Sequence, residues 1–82
     1  MNYAVIFTYS FDGDVAVYLF DDEESAVRML RENFEEERRI DVEENGWDVD
    51  AIITDDGWYA KIIDHFCDRD DITEMRIGRV YQ

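Results

Sequence analysis

Only one stretch of this chain repeats its apolar residues at helical intervals, and segments with the period of strands lie on either side of it. Ala26, Val27, Leu30 and Phe34 recur three and four residues apart, which puts them on one stripe of a helix. Asp21-Asp22-Glu23-Glu24 precedes them in the form of a helix start. Asp21 is placed to cap the first backbone N–H groups, Glu24 holds the reciprocal capping-box position, and all four carboxylates sit at the positive end of the helix dipole. Arg28 with Glu32, and Arg31 with Glu35, form i,i+4 pairs on the wet side. The stripe fades after Phe34. A helix is therefore expected from about Asp22 to Arg39, with the stretch from Ile40 to the stop signal Asn45-Gly46 left open between helix and extended chain.

Before the helix, Tyr3–Tyr9 and Val15–Phe20 are almost continuously apolar, aromatic or β-branched, and Asp12-Gly13 between them supplies turn chemistry. This reads as a β-hairpin, and the near-absence of polar alternation predicts that both of its faces are partly covered. After the helix, Trp47, Val49, Ala51 and Ile53 alternate with Asp48, Asp50, Ile52 and Thr54, a strand with one apolar and one largely acidic face. Asp55-Asp56-Gly57 marks a turn, Trp58–His65 a returning strand, Cys67–Asp71 a second connection and Ile72–Tyr81 a final strand. The order β-β-α-β-β-β, without proline, repeat or linker, predicts one α+β domain over residues 1–82: two layers, an antiparallel sheet with one helix packed on one face.

Eighty-two residues hold a single core and no large enclosed cavity. The first residues carry neither a basic n-region nor a small-residue cleavage site, and no apolar run reaches the roughly 18 residues needed to span a bilayer. A soluble, cytoplasmic protein without membrane contact is the expectation, and the lone Cys67 suits a reducing compartment.

Twenty-two acidic residues against eight basic ones give a net charge of −14, which opposes direct binding to nucleic acid. The excess is local: residues 35–56 carry ten acids against Arg38 and Arg39. Same-face side chains on a strand are spaced about twice the 3.3 Å rise, about two steps of a nucleic-acid strand's roughly 3.4 Å rise per nucleotide. A rigid row of carboxylates could thus occupy the phosphate channel of a basic, nucleic-acid-handling protein. The residues assigned to that contact are Glu36, Glu37, Glu43, Glu44, Asp48, Asp50, Asp55 and Asp56, with Trp58 and Tyr59 as aromatic anchors. For Trp47 and Trp58, sheet core or edge packing is the stronger reading.

Catalysis is not expected. His65 and Cys67 stand two apart, but no glycine-rich turn or helix start accompanies them to stabilise an oxyanion, and the carboxylates look exposed and alike. No cofactor motif is present. A metal is a distant third reading, confined to Asp64–Asp71, where no second His or Cys completes a zinc set and no EF-hand spacing fits. The alternative to the acidic module is a small interaction module that binds through a sheet edge or an aromatic surface.

The segments Tyr9–Asp12, Glu44–Asp48, Asp56–Ile62 and Thr73–Tyr81 resemble a family of small acidic bacterial proteins with no assigned activity, over most of the chain. The resemblance implies one compact domain. In size and acidity the chain is also similar to phage and mobile-element inhibitors of host nucleases, the anti-CRISPR proteins among them, a likeness of composition that implies an inhibitory, non-catalytic role.

Overall fold

The computed structural model describes residues 1–80; Tyr81, assigned above to the last strand, lies outside the described residues. The elements are β1 (Tyr3–Tyr9), β2 (Val15–Phe20), α1 (Glu23–Arg39), a π-helical segment (Ile40–Glu44), β3 (Asp48–Ile53), β4 (Tyr59–His65) and β5 (Asp70–Arg79). The molecule is α+β: all five strands join one antiparallel sheet in the order β2-β1-β5-β4-β3, and α1 lies against it. The long final strand occupies the centre and joins the N-terminal hairpin to the β3–β4 hairpin.

Strand alternation puts Val5 and Phe7, Met75 and Ile77, and Ala60 and Ile62 on one face, where α1 lays Ala26, Leu30 and Phe34 over them. These nine side chains are the buried core, and Leu30, Ile62 and Val5 are its largest fully enclosed members. Burying a side chain of the size of Leu30 stabilises by about 1.5–3 kcal/mol, so the single apolar stripe read from the sequence supplies much of the helix's adhesion.

The helix begins one residue later than its sequence signal suggests. Asp22, not Asp21, is the cap, in extended backbone, its carboxylate accepting from the Ser25 N–H at 2.8 Å and from the Ser25 hydroxyl at 2.9 Å. Ser25 holds the cap through both its N–H and its hydroxyl where Glu24 was expected to reach back, and Asp21 instead faces the N-terminal ammonium at 3.3 Å. The surface pairs also differ: Arg28 reaches back to Glu24, and Arg31 donates to the Asp55 carbonyl at 2.7 Å. The latter bond ties the middle of α1 to the β3–β4 turn.

The hairpin departs further from expectation. Its inner strand β1 is covered, but Val15, Val17 and Leu19 of β2 stand exposed on the face away from the helix, and Tyr18 is half exposed on the other. Continuous hydrophobicity reads as burial on two sides only when both sides have cover, and the helix covers one face of the sheet, where Ala16 and Phe20 of β2 pack against the core.

Gly57, in the β3–β4 turn, has φ +74°, and a Cβ there would meet the Val27 Cγ1 and the Arg31 Nε at 2.9 Å each. Gly13 has φ +73° with open space around it. Alanine at either position is expected to cost about 1–2 kcal/mol for the left-handed backbone, and Gly57→Ala about 1–3 kcal/mol more for the overpacking against α1. Urea denaturation of the two variants checks this; equal losses would mean that the turn does not press on the helix.

Candidate functional site

The acidic residues gather at the end of the molecule where α1 gives way to the π-helical segment and the chain enters β3. The helical stripe Ala26, Leu30, Phe34 continues through Glu37 to Asp41, and the inward face of β4 runs Ala60, Ile62, Asp64. Both series therefore finish on a carboxylate inside the protein: Asp41 is 3% exposed and Asp64 7%. The wider π turn carries Asp41 inward, with the bond from the Asn45 N–H to the Ile40 carbonyl at 2.9 Å closing it, and the Asp41 carbonyl accepts from the Trp47 N–H at 2.9 Å.

The carboxyls of Asp64 and Asp41 face each other in the interior, and Asp64 Oδ1 and Asp41 Oδ2 are buried without a hydrogen-bond partner. Two buried carboxyls side by side favour the state in which one holds a proton. Burial, then the facing Asp41 carboxyl and the nearby charges of Glu37 and Asp71, push Asp64 up to about 7. Glu37, half buried beside Asp41, is also raised, by burial first.

On the opposite face of the sheet His65 bridges three strands. Its Nε2 lies 2.7 Å from Asp50 of β3, and its Nδ1 2.8 Å from Asp70 of β5. With a carboxylate on each nitrogen the ring is stabilised as imidazolium, and the hydrogen bonds from Asp50 and then Asp70 raise its pKa. Asp64, one residue before it, points to the helix side, so the stretch Asp64–Asp71 does not converge. Cys67 is exposed, and Arg69 takes Asp71 at 3.1 Å. Among the described residues, no group of three or more His, Cys, Asp or Glu side chains is placed to hold a metal ion.

The residues assigned from sequence to partner contact are divided. Asp48 and Asp50 project from the outermost strand β3, with Asp55 and Asp56 in the turn beyond its end and Glu43 and Glu44 before its start. Glu36 is bound by Arg39 at 2.8 Å, which holds its carboxyl below its usual range; Arg39 also reaches Glu44 at 3.1 Å, and Arg38 takes Glu35 at 3.7 Å. Glu35, Glu36 and Glu43 line a mixed-sign groove of about 540 Å³, with Arg31, Arg38 and Arg39 set among them. Arginines are thus interleaved on the helical side of the acidic end but not along β3: among the described residues no lysine or arginine side chain reaches Asp48, Asp50 or Glu43. In the turn, Asp56 accepts from the Thr54 hydroxyl at 2.7 Å and the Trp58 N–H at 3.0 Å, which lower its pKa and keep it ionised.

The two aromatic anchors have internal partners. The Trp58 indole N–H donates to Glu23 at 2.9 Å and Arg79 lies over its ring; the Tyr59 hydroxyl donates to Glu74 at 2.6 Å. Trp47 packs edge-on against Phe66 with ring centroids 5.0 Å apart. The buried pair Asp41–Asp64 was not anticipated, although its signal was present: each falls where its element's apolar period calls for a core residue. Among the described residues no helix is long and apolar enough to cross a membrane.

Comparison with protein families, with curated proteins and with solved structures finds no match.

The carboxyl pair makes stability depend on pH with a definite sign. Asp64 is raised above its unfolded value near 3.9, so its contribution is complete below about pH 4 and is lost as pH climbs through about 7. His65, also raised, adds stability that is complete below about pH 6.5 and is lost as pH rises through its folded value. The melting temperature is expected to fall steadily from pH 5 to pH 8. Asp64→Asn should flatten the part of the slope between pH 4 and 7, and His65→Gln the part above it; scanning calorimetry across that range decides, and a melting temperature that rises toward pH 8 contradicts both assignments.

Proposed function

We propose that this protein is a non-catalytic acidic binding module whose β3 edge meets a basic partner, a nucleic-acid-handling protein being the class whose binding channel it suits. The observation that carries the reading is the row along the outermost strand. Asp48 and Asp50 project from the face of it that α1 does not cover, with Asp50 also held by His65, while Glu43 precedes the strand and Asp55 and Asp56 follow it in the turn. Neighbouring members on one face of the strand stand about twice the 3.3 Å strand rise apart. The row is fixed by backbone pairing with β4 rather than by loop chance.

The energetic logic is displacement. Crowding these charges costs folding stability, which a cationic surface returns on contact by neutralising them. Rim charges of this kind contribute mainly to association rate and partner choice, and their effect is screened within about 8–10 Å at physiological salt. The arginine-paired glutamates Glu36 and Glu44 contribute less to such a surface than the unpaired Asp48 and Glu43, and Glu37, half buried, less still. This narrows the contact from the whole acidic segment to the β3 edge.

The test is capture of partners from a lysate at low and at high salt, with wild type beside Asp48→Lys/Asp50→Lys. Basic nucleic-acid-handling proteins should be enriched by wild type at low salt, fall at least tenfold at high salt, and be lost by the charge-reversed variant. Capture indifferent to ionic strength, or retained by the variant, would sink the proposal.

A further inference from the structure

The sheet has two outer strands, and they are built differently. β3 carries Asp48 and Asp50, the kind of charge that keeps an edge from pairing with another chain. β2 reads Val-Ala-Val-Tyr-Leu-Phe and has no charge, no proline and no glycine. Val15 is 62% exposed, Val17 54% and Leu19 50%, all on the face that α1 does not cover. In a chain of net charge −14, this edge is the place where two copies can touch without bringing carboxylates together along the strand.

The backbone fixes how they would touch. The Tyr9 N–H donates to the Asp14 carbonyl at 3.1 Å, and bonded pairs alternate along an antiparallel ladder. With the observed register, Phe7–Ala16 and Val5–Tyr18 are therefore the bonded pairs. The Ser10 N–H to the Ile72 carbonyl and the Val80 N–H to the Asn2 carbonyl agree, since they turn the even-numbered residues of β1 toward β5. It follows that the N–H and C=O groups of Val15, Val17 and Leu19 point outward from the sheet.

We propose that β2 is a self-association edge, through which two copies pair antiparallel about a two-fold axis at Val17 into one ten-stranded sheet. That register opposes Val17 with the partner's Val17 and Val15 with the partner's Leu19, so every outward-pointing donor and acceptor of the strand is matched. It also opposes Tyr18 with the partner's Ala16, a half-exposed ring over a small side chain, in a non-bonded pair where side chains approach most closely. The isologous geometry is that of most homodimers.

Charge placement favours the same arrangement. The acidic β3 edge lies four interstrand steps from β2, about 19 Å at 4.8 Å each. Pairing through β2 puts the two acidic edges at opposite ends of the dimer, well beyond the screening length of about 8–10 Å. The dimer would then present two copies of the surface proposed above, although self-association does not require that surface to bind anything. Repulsion remains at the ends of the paired strands, where Asp12 and Asp14 approach the partner's Asp21. A six-residue strand contact is also small beside the roughly 800 Å² per partner of stable complexes, so the association is expected to be weak and concentration-dependent.

Sedimentation equilibrium from low micromolar to millimolar protein is the test. The expected result is a rise from the 9.8 kDa protomer toward twice that mass, strengthened by salt because screening relieves the end repulsion. This is the opposite salt response to that of the acidic edge, so failure of one proposal is distinguishable from failure of the other. Val17→Pro removes an N–H that β1 does not use, and Val17→Lys adds a charge at an exposed site. Both should weaken association at least tenfold while the circular dichroism spectrum stays native. Ile52→Lys, on the opposite edge, should leave association unchanged. A protomer that stays monomeric at millimolar concentration overturns the proposal, as does a dimer that survives Val17→Lys; if Val17→Pro fails to fold, Val17→Lys alone decides.

Discussion

A single helix has to cover a sheet wider than itself. Five strands spaced about 4.8 Å apart span roughly 19 Å between the outer two, while a helix with its side chains is about 10–12 Å across. Ala26, Leu30 and Phe34 close over β1, β5 and β4, and there the fully buried core stops. The outer strands contribute only partly buried side chains such as Ala16, Phe20, Val49, Ala51 and Ile53. The shortage of cover explains why the molecule has two edges with marked and different characters.

The sequence distributes its charge in keeping with those edges. Carboxylates crowd the β3 side and the turn from α1 into it, where Arg38 and Arg39 neutralise part of the helical row, whereas β2 has none. Two carboxylates go inward instead. Asp41 and Asp64 occupy positions that an apolar residue would fill without penalty, and their burial side by side favours keeping a proton on Asp64. Replacing both by apolar residues of similar volume would be expected to stabilise the fold, on the general ground that buried polar pairs rarely repay their desolvation.

Local signals carried most of the secondary structure. The stripe from Ala26 to Phe34, the carboxylates before it and the Asp-Gly turns located α1 and the strands to within a residue or two, because capping, period and left-handed turns depend on near neighbours alone, while the π-helical turn at Ile40–Glu44 stayed open. What depends on distant partners was not legible. Strand order follows from β5 inserting between β1 and β4, and nothing within Asp70–Arg79 announces that. The hairpin's two strands look alike in composition, yet β1 sits in the middle of the covered face and β2 only at its margin. Of the acidic residues assigned to partner contact, sequence alone could not separate Glu36, tied to Arg39, from Asp48, which faces solvent. Asp41 and Asp64 were within reach of the same periodicity that found the helix, had its carboxylates been read as core positions.

The place of β5 has a further consequence for how the molecule comes into being. The β1–β2 hairpin and the β3–β4 hairpin share no backbone pairing; each meets only the final strand, which runs between them. A ribosome releases that strand last among the described elements, so for most of synthesis the two halves exist as separate ribbons with their inner edges bare. The helix stripe likewise waits for Met75 and Ile77 before its floor is complete. Closing the sheet therefore requires one strand to fasten both ribbons, and until it does the crowded carboxylates flanking β3 repel neighbouring chains that carry the same charge.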